Sequence, residues 1–306
     1  MSSGRARPLT RAERVVDAAA RRLLELAPER GPGAAAVDFL VFGLKQAWAC
    51  LFGGLMLAAI LATRLWWPEQ APLARNDALV VAAVGIQLLM FGLRLETGRE
   101  ALVILLFHLA GTGMEVFKTA QGSWSYEEGG LLRIGGVPLF TGFMYAAVGS
   151  YLVRTQRLFD LRFDRYPRRL WTLLLGAAIY ANFFAHHYLW DARWLLLAAA
   201  ALLYAPVVMH YRVFRRTLRM RLLLAFGLVA LFIWFAENIA TWGGAWAYPD
   251  QLDGWTPVSP SKLVSWFLLM LVSVALTTLV HPPAAPPRPR SATTPRSPGI
   301  RSRRSG

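Results

Sequence analysis

The sequence has little cysteine, histidine or acidic residue. Cys50 has no second cysteine to pair with, which excludes an internal disulfide. Asp and Glu number 18 against 33 Lys and Arg, so the formal net charge is +15. The N-terminal segment lacks the apolar core and cleavage site of a signal peptide. The chain also has no nucleotide-binding glycine loop, no Ser-His-Asp order, no nucleophile elbow and no HExxH motif, which disfavours soluble-type nucleotide or hydrolase chemistry.

The chain is instead rich in apolar residues, at 56%, and they come in long blocks. Such blocks are typical of proteins that cross a membrane several times. The sequence therefore predicts an all-α integral membrane protein. Its eight transmembrane helices are expected at residues 40–63, 79–95, 101–119, 137–153, 170–188, 194–211, 222–241 and 262–280.

The basic residues lie between and beside the apolar blocks. With the N-terminus inside, the inner segments carry 26 Lys and Arg and the outer segments carry six. By the positive-inside rule this split predicts that both termini are cytoplasmic. The basic inner loops are expected to contact anionic lipid headgroups. The same distribution argues against a nucleic-acid partner, despite the net charge.

Three regions follow from the composition. An amphipathic helix is expected at residues 10–28, with Thr10 and Glu13 as its capping box. It would lie on the inner leaflet or extend as a solvated helix ahead of the first span. The regions are a cytoplasmic N-terminal segment (1–38), a membrane domain (39–280) and a disordered basic tail rich in Pro, Arg and Ser (281–306).

A pattern of six residues occurs twice at a constant offset of 122 positions. Each copy covers the end of one span, an outer loop and the start of the next span. The internal repeat predicts two parallel four-helix repeats, at about 39–160 and 165–280, related by a pseudo-two-fold axis along the membrane normal. The pattern is Glu115, Thr119, Gly122, Trp124, Tyr126 and Pro138, recurring as Glu237, Thr241, Gly244, Trp246, Tyr248 and Pro260.

Each copy places a glutamate inside an apolar helix. Intramembrane carboxylates are costly and usually functional. Glu115 and Glu237 should lie at equal depth near the outer leaflet, which predicts a proton-handling pair. Two structural alternatives remain open. Glu115 could pair with Lys118 one turn on, and Glu237, next to Asn238, could serve only as a hydrogen-bond acceptor.

The aromatic residues of the repeat are candidates for substrate binding. In each copy Gly, Trp and Tyr alternate at period two, which places them on one face of an extended segment. Trp124, Tyr126, Trp246 and Tyr248, with Lys118, form the predicted binding set. The alternative is that they belong to the ordinary aromatic belt at the membrane interface.

Other polar residues fall near the same layer. His186 and His187 end the fifth predicted span, and His108 lies seven residues deeper than Glu115. With Asn238 they complete the proton-handling candidates. A divalent metal is an alternative for such a set, but no metal motif is present, so no metal site is predicted.

Charged residues near the inner side are expected to be structural. Lys45, in the first span, is expected to extend toward the cytoplasm. The short inner connection after the second span is expected to form ion pairs within itself at the surface. These residues are Arg94, Glu96, Arg99 and Glu100.

With these residues in view, the chain resembles the YoaT-like family of uncharacterised bacterial integral membrane proteins (domain of unknown function 817). The resemblance covers essentially the whole membrane region. It implies the inner membrane of a bacterium and a multi-pass topology, and it implies no substrate, because the family has no established activity. The segments that carry it are 42–61, 94–126, 131–152, 181–189, 231–249 and 262–270.

A shorter similarity links each copy to membrane carotenoid hydratases and heterodimeric-type lycopene cyclases. Those proteins have intramembrane carboxylates followed by a G-x-W/Y-x-Y-like stretch and a G-x-P helix start. The second copy departs from this pattern, with Ser259 before Pro260, and the paired acidic residues of the cyclase helix start are absent. The matching residues are Glu115, Gly122, Tyr126, Gly136, Val137, Pro138, Glu237, Gly244 and Tyr248.

Three classes of function are consistent with these patterns. An intramembrane enzyme would act on a polyprenyl, carotenoid or other apolar lipid through Glu115 and Glu237. A proton- or cation-coupled transporter would use the same carboxylates between its repeats. A structural or partner-binding membrane protein would use them only to hold the loops. The sequence identifies no cofactor, no substrate and no oligomeric state.

Overall fold

The computed structural model describes residues 9–25, 31–68, 70–214 and 216–286. Helices dominate the described residues, as the apolar periodicity predicts. The helices are α1 (Arg11–Glu25), α2 (Pro32–Ala49), α3 (Leu51–Trp66), α4 (Arg75–Gly92), α5 (Gly98–Ala120), α6 (Phe140–Leu158), α7 (Arg169–Ala185), α8 (Arg193–Tyr204), α9 (Leu222–Trp242) and α10 (Lys262–Val280), with a 3₁₀ turn at Pro249–Gln251.

Two small antiparallel sheets interrupt the helices, so the expectation of a purely α-helical protein is incomplete. The strands are β1 (Arg133–Ile134), β2 (Val137–Pro138), β3 (Arg162–Asp164), β4 (Val208–Arg212) and β5 (Thr217–Arg221). Strand order is β1-β2 in one sheet and β3-β4-β5 in the other. The sequence of β4 explains part of the difference, since Met209 and Tyr211 alternate with polar residues at the strand period of two.

Several helices are long and apolar enough to cross a membrane. Among the described residues α4, α5, α9 and α10 meet that description, and the pair α2–α3 makes a fifth if it is one span. The first predicted span, 40–63, is therefore not one straight helix, because the pair bends by 69° at Cys50. The predicted span 194–211 is also too long, since α8 ends at Tyr204 and β4 follows.

The outside of the helical body is apolar. Leu88, Leu109 and Phe232 are 64%, 61% and 60% exposed. Large exposed apolar surface of this kind marks a membrane or partner interface rather than a surface in water. The apolar helices together with this surface indicate a membrane protein.

The interior contains two main apolar clusters. One is formed by residues of all the helices from α5 to α10 and includes Phe107, Tyr204 and Phe226. The other joins α3, α4 and α6 through residues such as Phe52 and Phe140. Helix α6 contacts α2, α3, α4, α5 and α10. It therefore holds the two clusters together.

Helix α1 covers most of the predicted amphipathic segment 10–28, of which residues 26–28 lie outside the described residues. The predicted capping box is confirmed. Thr10 N donates to Glu13 Oε2 at 2.7 Å and Glu13 N donates to Thr10 Oγ1 at 3.3 Å. The predicted tail lies largely outside the described residues, which end at residue 286.

The expectation that the connection between α4 and α5 forms its own ion pairs at the surface is wrong. Glu96 and Glu100 are buried, at 6% and 3% exposure. Arg157 donates to Glu100 and, at 2.8 Å, to Glu13 of α1, while Arg154 lies 3.7 Å from Glu96. The partners belong to α6, with Arg157 lying 57 positions from Glu100, so local sequence does not reveal them. Buried charges need such partners, and these tie α1, α5 and α6 together.

Lys45 also differs from its expectation. It is 6% exposed, and its ammonium donates to the backbone oxygens of Leu158 at 3.1 Å and Val213 at 2.5 Å. The lysine therefore does not extend to the surface. It fixes α2 against the end of α6 and the hairpin of β4 and β5.

Candidate functional site

The two glutamate-bearing helices, α5 and α9, end in the same way. Gly122 and Gly244 follow the helix ends with φ of 68° and 67°, a conformation that favours glycine. Gly122 N donates to Thr119 O at 3.0 Å, and Gly244 N donates to Thr241 O at 2.9 Å. In each loop the backbone N–H one residue after the glycine also donates to the helix, to Lys118 O in α5 and to Ala240 O in α9. This is the Schellman arrangement, and it turns both chains sharply out of the helix.

The two loops that follow pair with each other. Ser125 and Ala247 form an antiparallel bridge, with Ser125 N donating to Ala247 O at 2.9 Å and Ala247 N donating to Ser125 O at 3.0 Å. These residues occupy equivalent positions in the two copies. The Trp124 and Tyr248 rings on either side meet edge to face, 6.1 Å apart.

Glu115 is buried, at 5% exposure, and accepts hydrogen bonds from three aromatic side chains. Trp124 Nε1 donates to Oε2 at 2.8 Å, and the Tyr126 hydroxyl donates to the same oxygen. Tyr145 of α6 donates to Oε1 at 2.7 Å. The predicted alternative, an ion pair with Lys118, is not among the contacts of the described residues. The carboxylate is held by neutral donors.

Glu237 is buried in a related environment, at 3% exposure. The Tyr248 hydroxyl donates to Oε1 at 2.5 Å, and Trp266 Nε1 of α10 donates to Oε2 at 2.7 Å. Each glutamate is thus bonded by the tyrosine 11 positions later and by an aromatic residue of the following helix. Both carboxylates have a fixed orientation.

The loop tyrosines are held in their protonated, donating form. Burial, and then the neighbouring Glu115 carboxyl, raise the pKa of Tyr126 well above its usual value. Burial and Glu237 do the same to the pKa of Tyr248. Both phenols are hydrogen-bond donors at every physiological pH.

One cavity of about 1060 Å³ opens beside both carboxylates. Side chains of α10 line it from Lys262 to Thr278, which at 1.5 Å per residue is roughly 24 Å, most of the thickness of a bilayer core. Most of its wall is apolar. The acidic and basic side chains that line it lie at the end that holds the glutamates, whereas polar side chains such as Gln46, Gln156 and His281 line the opposite end. The predicted residues that line it are Glu115, Glu237, Lys118, Trp124, Tyr126, Trp246, Tyr248 and His186.

Three predicted residues lie elsewhere. His108 packs edge to face on Phe143, 4.8 Å between ring centres, within the α5–α6 contact. Asn238 bonds to Trp234 O at 2.8 Å and accepts from Val258 N at 2.9 Å, which fixes the loop before α10. His187 does not line the cavity, and its Nε2 lies 2.9 Å from the Lys118 ammonium.

Lys118 points toward the histidines rather than toward Glu115. Its ammonium lies 3.2 Å from His186 Nε2 and 2.9 Å from His187 Nε2. An ammonium only donates, so both ring nitrogens accept. His186 Nδ1 lies 2.8 Å from Asn182 O and carries the ring proton. Within the described residues, no group of three or more His, Cys, Asp or Glu side chains could hold a metal ion.

Four cavity residues were missed by reasoning from the repeat. Tyr145 and Trp266 bond the glutamates, and Lys262 and Arg193 add positive charge beside them. Tyr145 and Trp266 fall seven and six positions after the repeated prolines, so an aromatic residue two turns into the next helix was a usable signal. Lys262 has no counterpart in the first copy, where Phe140 stands, and the repeat could not reveal it.

The family model described as "Protein of unknown function (DUF817)" matches residues 38–274. The "Uncharacterized protein YoaT" of Bacillus subtilis (strain 168) is 44% identical over 232 residues, which are 76% of this chain and 87% of that protein. A crystal structure of a cross-linked MvINS trimer gives a TM-score of 0.45 at 17% identity, covering 60% of this chain and 95% of that chain. This last similarity is too low to bear on the function.

Proposed function

The chain belongs to this DUF817 family of unknown function, and we propose that it is a multi-pass membrane enzyme that carries out acid–base chemistry on an apolar, lipid-like substrate. The observation that carries the proposal is that Glu115 and Glu237, both buried, open on one large apolar cavity. Paired titratable groups in an apolar cavity indicate a functional site and fit acid–base catalysis.

The chemistry available to two carboxyl groups is proton transfer. One glutamic acid gives its proton to one carbon of a C=C bond, and the adjacent carbon becomes a carbocation. The other glutamate then takes a proton from the next carbon, which moves the double bond. If water instead adds to the cation, that glutamate takes the proton of the water and an alcohol forms. Neither route needs an oxidant, a reductant or a cofactor.

The aromatic wall suits such an intermediate. Trp124, Trp246 and Trp266 line the cavity, and indole faces attract a cation by about 0.5–2 kcal/mol each. The N–H groups of Trp124 and Trp266 also hold Glu115 and Glu237 in one orientation each. Directed proton transfer depends on that fixed geometry.

Two parallel four-helix repeats remain our proposal for the architecture. The Ser125–Ala247 bridge, the matching helix ends and the matching Glu–Tyr bonds support it. The distribution of Lys and Arg supports eight spans with cytoplasmic termini in a bacterial inner membrane, with the carboxylates toward the outer leaflet.

The test is untargeted mass spectrometry of lipid and pigment extracts from matched cells. One set expresses the native protein, and the other expresses the Glu115→Gln/Glu237→Gln variant at equal membrane abundance. We expect a mass feature that appears or shifts only with the native protein. If no such feature is found across well-covered lipid classes, the proposal that the protein is an enzyme acting on lipids of that host would be overturned.

A proton-coupled carrier is the second candidate, favoured by the length of the cavity along α10. It would use the same carboxylates to load and release protons during transport. The two candidates differ in their products. A carrier gives Glu-dependent uptake or efflux without a new compound, whereas the enzyme gives a Glu-dependent compound.

A further inference from the structure

Lysine is rare in this chain, and two of its lysines line the cavity. Of 33 basic residues only Lys45, Lys118 and Lys262 are lysines. Lys45 is bonded to backbone oxygens far from the glutamates. The other two line the end of the cavity that holds the glutamates.

Neither cavity lysine has a carboxylate in contact. The ion pairs of the described residues include neither Lys118 nor Lys262. Lys118 contacts two imidazole nitrogens, and Lys262 lies 4.1 Å from the centre of the Tyr248 ring and 5.9 Å from that of Trp124. These neutral groups orient the ammonium groups without cancelling their charge.

The surrounding charges are of both signs, with Arg193 near both lysines and the carboxylates Glu237 and Asp250 near Lys262. Lys262 is the first residue of α10 and Arg193 is the first residue of α8, positions where the helix dipole disfavours a cation. Arg193 is balanced by Asp191 at 3.2 Å, but the charges of Lys262 and Arg193 still act on Lys118. Glu237, the carboxylate that acts most on Lys262, already accepts from Tyr248 and Trp266.

The rest of the cavity is suited to a hydrocarbon chain. Between Trp266 and Val274, the face of α10 that lines it presents Leu269 and Met270, and polar side chains return only at Thr277 and Thr278. The volume of about 1060 Å³ is slightly above the roughly 300–1,000 Å³ of ordinary small-molecule sites. A long apolar space with two lysines at one end, neither in an ion pair among the described residues, is complementary to an anionic amphiphile.

We propose that the cavity binds a single-chain amphiphile whose anionic headgroup, a phosphate or carboxylate, contacts Lys118 and Lys262. Its chain then runs along α10. The inference rests on the proposed function and deepens it, because the glutamates lie at the same end of the cavity as the lysines. The reacting double bond is therefore within the first few carbons from the headgroup.

The test measures binding of radiolabelled oleyl phosphate to the full-length protein in nanodiscs of neutral lipid. Oleyl alcohol lacks the phosphate, so its competition shows how much the charge contributes to binding. Inorganic phosphate lacks the hydrocarbon chain, so its competition shows how much the chain contributes. We expect native protein to bind oleyl phosphate about tenfold or more tighter than oleyl alcohol, and inorganic phosphate to compete weakly.

Lys262→Gln should remove most of that preference. The ammonium of Lys262 makes no hydrogen bond among the described residues, so we expect the variant to keep the fold. Lys262→Arg should keep the preference. Arg64→Gln, which removes a positive charge from the exposed end of α3, is the matched control and should also keep it.

Equal binding of phosphate and alcohol, or a preference that survives Lys262→Gln, would overturn the headgroup site. If inorganic phosphate alone competes effectively, the proposal that the ligand is an amphiphile would be overturned. The Glu115→Gln/Glu237→Gln variant separates this inference from the enzyme. It should still bind oleyl phosphate, so binding without any product in native cells would refute the chemistry and leave the binding site standing.

Discussion

At the scale of single residues, the glutamates depend on their aromatic donors. A carboxyl group removed from water is costly unless hydrogen bonds replace the lost solvation. Trp124, Tyr126 and Tyr145 do this for Glu115. Tyr248 and Trp266 do it for Glu237. Removing one hydroxyl should therefore affect the site without removing ring packing.

Tyr248→Phe tests this dependence. It deletes the 2.5 Å bond to Glu237 and keeps the ring against Trp124. We expect the Glu-dependent product to fall about tenfold, and the free energy of unfolding to fall by about 1–3 kcal/mol, the cost of an unpaired buried polar group. Product per membrane-inserted protein and thermal unfolding in detergent measure the two effects.

The matched control is Tyr188→Phe. Tyr188 is 69% exposed, and its hydroxyl accepts from Gln121 at 2.9 Å outside the cavity. Its removal should change neither product nor stability measurably. Equal losses in the two variants would show that the Tyr248 hydroxyl has no special role.

At the scale of elements, the contact between α5 and α6 positions Tyr145. A Cβ at Gly111 would lie 2.4 Å from the Tyr145 ring, so the absence of a side chain there lets the ring pass and reach Glu115. A Cβ at Gly113, half a turn on, would make only an ordinary contact, with Tyr180 Oη at 3.6 Å. The two glycines make a matched pair within one helix.

Gly111→Ala should lower the free energy of unfolding by about 1–3 kcal/mol through overpacking and should reduce product by displacing Tyr145. Gly113→Ala should raise stability by about 0.5–1 kcal/mol, because alanine favours the helix. Thermal unfolding of both proteins in the same detergent measures the signs. A loss for both, or for neither, would contradict the packing described for Tyr145.

Some of the helices could be predicted from the sequence, but the bend between two of them and the burial of two glutamates could not. Apolar runs predicted α5, α9 and α10 to within a few residues because each is one uninterrupted helix. The bend at Cys50 was not predicted, because the glycines and polar residues around it, such as Lys45 and Gly53, also occur inside straight membrane helices and do not by themselves indicate a bend. The burial of Glu96 and Glu100 was missed because their arginine partners lie on α6, more than 50 positions away.

At the scale of the whole molecule, the repeat predicted the end of the cavity that holds the glutamates but not the cavity. Glu115, Trp124 and Tyr126 and their counterparts were found because they recur with constant spacing. The apolar wall comes from side chains of many helices, and no local pattern records which faces leave space between them. Neither Lys262 nor Arg193 belongs to the repeated pattern, so the spacing of the repeat could not predict that they line the same cavity as the glutamates.

The central claim is that Glu115 and Glu237 act together on one substrate in one cavity. The most direct measurement compares product formation by native protein, Glu115→Gln, Glu237→Gln and the double variant at equal membrane abundance. If the two groups are donor and acceptor of one proton-transfer sequence, each single variant should be as inactive as the double, because residues that act as a unit are non-additive. Full activity in either single variant, or losses that simply multiply in the double, would contradict the claim.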